Sequence, residues 1–272
     1  MFRGQMISSS VSNIGRKSSR LPASEHGLFS EHHRVGTSFP VTPILHQARF
    51  LQGLTDSERS TIFRTAQPRT YAAYSVIAEQ GTVADRFFML ARGSVRYFFI
   101  TSQGQDVSLF WLAPGDIFGG ASLLTLPAEF IVSTETTKES TILVWQRDAI
   151  RRLATQFPRL LENGLSIACD YLVWYLATHL SLVFDSARER LAHVIHSLSH
   201  GIGQRCTEGV RLEITNEQLA NTANLTPFTV SRLLNEWQRN GAILKSRGSI
   251  LLCRPEQLFG QKPTTPIQKL RV

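Results

Sequence analysis

A chain of 272 residues, 42% of them apolar, can bury one or two cores, so two domains with tails is the first expectation. Its net charge of +8 points to an anionic partner, although residues 1–40, 187–258 and 259–272 each hold +3, so solvated basic tails carry part of it. Cys169, Cys206 and Cys253 form no C-x-x-C pair, which excludes a disulfide framework and a zinc knuckle and fits a reducing, cytoplasmic setting.

Residues 1–43 are rich in Ser, Gly and Arg and lack both apolar periodicity and the apolar centre of a secretory signal. They are expected to form a disordered basic tail, within which Met6 offers an alternative start. Over residues 44–157 the chain changes to short apolar or alternating runs: Val76–Ala78, Phe87–Leu90, Ser94–Ile100, Val107–Leu112, Ile131–Thr134 and Ile142–Trp145. Glycine turns separate them, including Gly81, Gly93, Gly104 and Pro114-Gly115-Asp116. Short strands at this spacing predict a β-barrel or jelly roll.

Pro158 opens a helical pattern reaching Asp185. Leu161, Leu165, Ala168, Leu172, Tyr175, His179 and Leu182 alternate steps of four and three, the spacing of a heptad seam. Val173, Leu176, Leu180 and Val183 supply a second apolar face, expected to pack on the β-domain while the seam meets the same helix of a second subunit. The uncharged run Tyr171–Phe184 is too short to span a bilayer, so no membrane segment is expected.

Residues 186–258 read as a third unit, followed by a basic tail over 259–272. A helix with Leu191, Val194, Ile195 and Leu198 on its core side ends at Gly201-Ile202-Gly203. Its His193, His196, His200 and Glu189 share the opposite face and are expected to be solvated rather than to hold a metal. Thr215 and Gln218 form a capping box that starts a brief helix, Asn224 suits the left-handed turn after it, and Leu225 plugs the core. Thr226 then caps a second helix, with Pro227 at its first position. On that helix Val230, Leu233, Leu234 and Trp237 make the buried stripe, leaving Phe228, Ser231, Arg232 and Asn235 outward. Residues 243–254, split by Arg247-Gly248-Ser249, read as a β-hairpin.

Two helices joined this way form a helix-turn-helix, and the hairpin makes it a winged one, with Lys245 and Arg247 near DNA phosphates. The residues expected on the DNA side are Thr215 and Asn216 from the first helix, Thr226, Phe228, Thr229, Ser231, Arg232 and Asn235 from the second, and Lys245 and Arg247 from the wing. No nucleophile elbow, P-loop, H-E-x-x-H or matched carboxylate pair is present, so no catalytic residue and no metal site is expected. A β-roll subunit or scaffold that does not act on DNA is the remote alternative.

The chain resembles the Crp/Fnr regulators over roughly residues 44–258. The most specific parts are I-T-N-E-Q-L-A-N-T-A-N-L-T-P-F-T-V-S-R-L-L from Ile214 to Leu234, A-P-G-D-I-F-G-G at Ala113–Gly120 and F-D-S-A-R-E-R-L-A-H at Phe184–His193. The resemblance implies an α+β fold: an N-terminal jelly-roll-like β-roll, a long dimerisation helix and a C-terminal winged helix-turn-helix. It also implies a homodimer that binds double-stranded DNA, meets RNA polymerase, and shifts between states about Phe184-Asp185 under a small-molecule effector.

Departures from the family pattern narrow that effector. Cyclic-AMP-binding relatives place a Glu after the F-x-G glycine and an Arg-Ser pair about ten residues on; this chain has Gly120, then Phe130-Ile131. Without that arginine a cyclic phosphate loses a charge-assisted pair worth about 1.5–3 kcal/mol, so a cyclic nucleotide is not the expected effector. Where those relatives meet adenine with small hydroxyl side chains stand Trp174 and Tyr175, large enough to fill the pocket. The effector-pocket candidates are therefore Gly119, Gly120, Ala121, Phe130, Ile131, Trp174 and Tyr175. The iron–sulfur mechanism of oxygen-sensing relatives is excluded because no cysteine precedes Cys169. No cofactor is expected, although the resemblance leaves haem open, with His46 or His179 as axial candidates. Control by expression level alone is the other open alternative.

Overall fold

The computed structural model describes residues 43–104 and 106–259. Apart from Pro43 and Phe259, the basic tails expected over 1–43 and 259–272, and Met6 with them, lie outside these residues.

Helix α1 (Pro43–His46), a 3-10 turn (Arg49–Leu51) and α2 (Asp56–Arg64) lead into the β-region. The strands there are β1 (Gln67–Tyr71), β2 (Val76–Ala78), β3 (Arg86–Arg92), β4 (Val95–Ile100), β5 (Asp106–Leu112), β6 (Ile117–Phe118), β7 (Ser133–Thr136) and β8 (Ser140–Gln146). They pair antiparallel in two sheets, ordered β1-β8-β3-β6 and β2-β7-β4-β5. The continuous apolar run of β3 has a cause in this layering, because its sheet is buried on both faces. Phe87, Met89 and Ala91 join Leu143 and Trp145 of β8 under the helices, whereas Phe88 and Leu90 join Ile142 and Val144 between the sheets. Trp145 is anchored through Nε1, which donates to the Ile62 carbonyl at 3.0 Å and to Thr65 Oγ1 at 3.1 Å.

Helix α3 (Arg147–Gln156) covers the helix-side core with Ile150, Leu153 and Ala154, and α4 (Arg159–Phe184) follows. The seam residues Leu161, Leu165, Ala168, Leu172, Tyr175, His179 and Leu182 are all exposed on the chain, Leu172 to 58%. The second-face expectation is corrected: Leu176, Leu180 and Val183 also remain exposed and Val173 is only half-buried. The face that meets the β-roll runs through Leu160, Gly164, Ile167, Tyr171 and Trp174. Gly164 faces Leu123 and Phe50, where a Cβ would make ordinary contact at 3.6 and 3.8 Å. Asn163 Nδ2 fixes the approach by donating to the Phe50 and Gln52 carbonyls, both at 2.9 Å.

The last core is built by α5 (Ala187–Gly201), β9 (Gln204–Cys206), β10 (Gly209–Leu212), α6 (Asn216–Ala223), α7 (Pro227–Arg239), β11 (Ile243–Ser246) and β12 (Ser249–Leu252), the sheet order being β11-β12-β10-β9. Ser186 and Glu189 close a capping box on α5. The expectation of a solvated histidine face is corrected here. His193 and His196 pack on the Phe259 ring at 5.0 and 5.7 Å, and His193 Nε2 lies 3.6 Å from Asp185.

Candidate nucleic-acid interface

The α6–α7 pair is held by backbone chemistry that the sequence specifies. Thr215 Oγ1 accepts from the Gln218 N–H at 3.2 Å, while Gln218 Oε1 accepts from the Thr215 N–H at 2.9 Å, so two free helix-start donors are satisfied reciprocally. Asn224 takes the left-handed conformation, φ 50°, and the Leu225 N–H donates back to the Ala220 carbonyl at 2.9 Å, closing the end of α6. Ala220 is fully buried where α6 meets α7. Thr226 Oγ1 then accepts from the Thr229 N–H at 3.2 Å, and the two threonine hydroxyls lie 2.9 Å apart.

Below the surface of α7, Val230, Leu233, Leu234 and Trp237 are buried. Phe228 stands out at 78% exposure, Arg232 and Asn235 are exposed, and Thr229 and Ser231 are half-buried beside them. Thr215 is exposed and Asn216 half-buried at the start of α6, and Thr226 is exposed at the start of α7. Lys245 departs from expectation. Its Nζ donates to Asn235 Oδ1 at 2.6 Å, tying the wing to α7, and Arg247 at the wing tip is the exposed cation.

Among the described residues, the contacts that join this region to the β-roll include two that the sequence reading missed. Trp111 of β5 is almost fully buried within the core formed by α5, α6, α7 and the wing, and Lys138 pairs with Glu213 at 3.1 Å. An isolated tryptophan in a strand carries no signal of which core it joins.

The pocket candidates separate on the structure. Gly119 is left-handed, φ 76°, and a Cβ there would fall 2.8 Å from the Arg86 carbonyl oxygen, so the turn requires glycine. Gly120 is exposed, Ala121 packs against the inter-sheet core, and Phe130 is buried 6.2 Å from Phe88. Ile131 points outward at 80% exposure. Trp174 packs edge-on against Phe110 at 5.2 Å. Tyr175 is the correction: it is exposed on the α4 stripe, stacked with His179 at 6.5 Å. Tyr171, one turn earlier, takes its place against Phe110 at 5.3 Å and Tyr97 at 5.9 Å. Burial lifts the phenols of Tyr97 and Tyr171 above the ordinary tyrosine range, aided at Tyr97 by Tyr171 and at Tyr171 by Asp116. It also raises the Asp116 carboxyl, against the pull of the Ala113 N–H and Arg49.

A cyclic phosphate does not fit these residues, because Gly120, Phe130 and Ile131 supply neither the acceptor nor the cation it needs. Haem does not fit either: His46 rests edge-on against Phe63 at 5.7 Å beside arginines, and His179 is exposed.

A β-roll with an aromatic interior, joined by a long helix to a capped helix pair and a wing, defines a β-roll protein with a C-terminal winged helix-turn-helix domain. The family model for the Crp-like helix-turn-helix domain matches residues 189–259, and that for the cyclic nucleotide-binding domain matches residues 68–157. The chain is 24% identical over 217 residues to the CRP-like cAMP-activated global transcriptional regulator of Mycobacterium tuberculosis, covering 79% of this chain and 96% of that protein. It is 26% identical over 210 residues to the Cyclic AMP receptor protein of Thermus thermophilus, covering 77% and 91%. FixK2 from Bradyrhizobium japonicum superposes with a TM-score of 0.64 over 74% of this chain and 98% of its own at 18% identity, a likeness of fold. The chain belongs to the Crp/Fnr family of DNA-binding transcription regulators.

Proposed function

We propose that the protein is a homodimer that reads a two-fold-symmetric duplex site through α7, under an effector that is not a cyclic nucleotide. The observation that carries this reading is the outward set Phe228, Ser231 and Arg232 on a helix whose opposite face is wholly buried. Arg232 has the reach and the paired donors to address a guanine edge, and the Phe228 ring suits a thymine methyl. In this reading Arg247 at the wing tip contacts a phosphate, Lys245 doing so only if it releases Asn235, and RNA polymerase is the expected protein partner.

The dimer rests on α4. Its exposed seam is an apolar stripe that water disfavours, and a second copy covers it isologously. By length and composition α4 is also apolar enough to cross a bilayer. However, Asp170 at its middle pairs with Arg49, and Leu160 and Tyr171 hold one face on the β-roll, which favours a second copy over lipid. Control by expression alone is supported by one feature, the aromatic filling of the β-roll by Tyr97, Phe110, Tyr171 and Trp174.

Sedimentation with a duplex carrying two half-sites about one helical turn apart tests the reading. Two chains per duplex are expected; a single chain per duplex, or no binding to any duplex, would overturn it.

A further inference from the structure

A cleft of about 340 Å³ opens between α1, the 3-10 turn and α2, away from both the wing and the β-roll interior. Its size falls at the small end of ligand pockets, which span about 300–1,000 Å³. His46, Gln47, Arg49, Gln52 and Arg59 supply its polar lining, with Ala48 completing it, so three nitrogen bases or cations face it and no carboxylate does. Arg59 Nε is buried and has no hydrogen-bond partner among the described residues. Its guanidinium meets only the edge of Asp56, at 3.6 Å, and that carboxylate is almost wholly in water. The cleft is therefore lined by a guanidinium whose ion pair is long and made to a solvated carboxylate, and an oxyanion in the cleft supplies a closer acceptor with the charge to match.

Arg49 gives the cleft a route to the rest of the molecule. It also pairs with Asp170 on α4, and its charge is felt by Asp116 and Tyr171. We propose that this cleft binds a small polyanion bearing phosphate or carboxylate groups, held by Arg59 and Arg49, and that α4 registers its occupancy because the anion competes with Asp170 for Arg49. The anion site stands on the cleft alone; its influence on DNA binding rests on the proposed function.

The test titrates the full-length protein with potassium phosphate and, separately, potassium citrate, against potassium chloride at matched ionic strength, following the melting temperature. A saturable rise with one of the two is expected, because a ligand that binds only the folded state stabilises it. The one that acts identifies phosphate or carboxylate as the chemistry. Arg59→Gln should weaken that response at least tenfold, Arg49→Gln should weaken it too, and Arg232→Ala on α7 should leave it unchanged. No saturable rise with either anion, or a rise that survives both Arg59→Gln and Arg49→Gln, or one lost in Arg232→Ala, would overturn the site. Circular dichroism of each variant separates lost binding from lost fold, and if Arg59→Gln does not fold, Arg49→Gln decides. Duplex affinity measured with and without the active anion should differ in the wild type. Equal affinities would overturn the coupling through α4, whereas intact anion binding without any DNA binding would sink the proposed function and leave the cleft standing.

Discussion

The α6–α7 turn and the interior of the β-roll are both built on a required backbone geometry, but they differ in what the neighbouring side chains do with it. In the turn, Thr215, Asn224 and Thr226 fix the geometry while Phe228 and Arg232 beyond it face outward, so the surface keeps its capacity to meet a ligand. In the β-roll, Gly119 fixes a left-handed turn against Phe88 and the Arg86 carbonyl, and the aromatic side chains of the interior contact each other. A preserved backbone therefore says where a site could be. Only the side chains say whether it is open.

That contrast can be broken at several points. The largest effect is expected from Leu172→Glu at the seam, which places two like charges near a two-fold axis at several kcal/mol for each unpaired buried charge. Sedimentation should show monomers at low micromolar concentration, with DNA affinity falling in parallel; a persistent dimer would reassign the seam. Next comes Trp111→Ala, which empties a buried site where β5 enters the DNA-binding core. A loss of about 3–5 kcal/mol is expected for so large a truncation, and urea unfolding should show the two regions melting apart. A single unshifted transition would mean that Trp111 does not couple them.

Arg232→Ala should cost about 1–3 kcal/mol in DNA affinity and remove discrimination at one guanine, whereas Arg247→Ala should weaken all sequences alike and lower the salt dependence. Competition binding over single-base variants separates these patterns. The smallest effect sharpens the other side of the comparison: millimolar cyclic AMP or cyclic GMP should leave the melting temperature unchanged. A saturating rise at micromolar concentration would show that the aromatic interior opens.

Local chemistry was legible in the sequence; distant partners were not. The α6–α7 boundaries followed from Thr215, Gln218, Asn224, Thr226 and Pro227, because caps and turns are set within four residues. Most strands of the β-roll showed as apolar runs. β1 escaped because Gln67–Tyr71 is largely exposed and contains Pro68, its place being fixed by pairing with β8 more than seventy residues later. The capping box of Thr55 and Glu58 on α2 was readable and went unread. On α4 the heptad spacing was legible and its residues stay exposed on the chain, but the face that docks on the β-roll was misassigned. That face includes Gly164 and Tyr171, whose fit depends on Leu123, Phe50 and Phe110 rather than on apolar character. The burial of Trp111 belongs to the same class, since it is set by residues far along the chain.

Selection of bound duplexes from a random-sequence pool, with the wild-type protein, tests the central claim most directly. In the resembling regulators a Glu commonly stands where Phe228 is, and it accepts from the amino group of a cytosine. A phenyl ring cannot accept that bond. The account predicts a two-fold-symmetric site with half-sites about one helical turn apart, the guanine facing Arg232 retained and the pair facing Phe228 changed or relaxed. Recovery of the usual half-site with its cytosine-containing pair strongly specified would contradict it, and would mean that Phe228 does not face DNA in the complex.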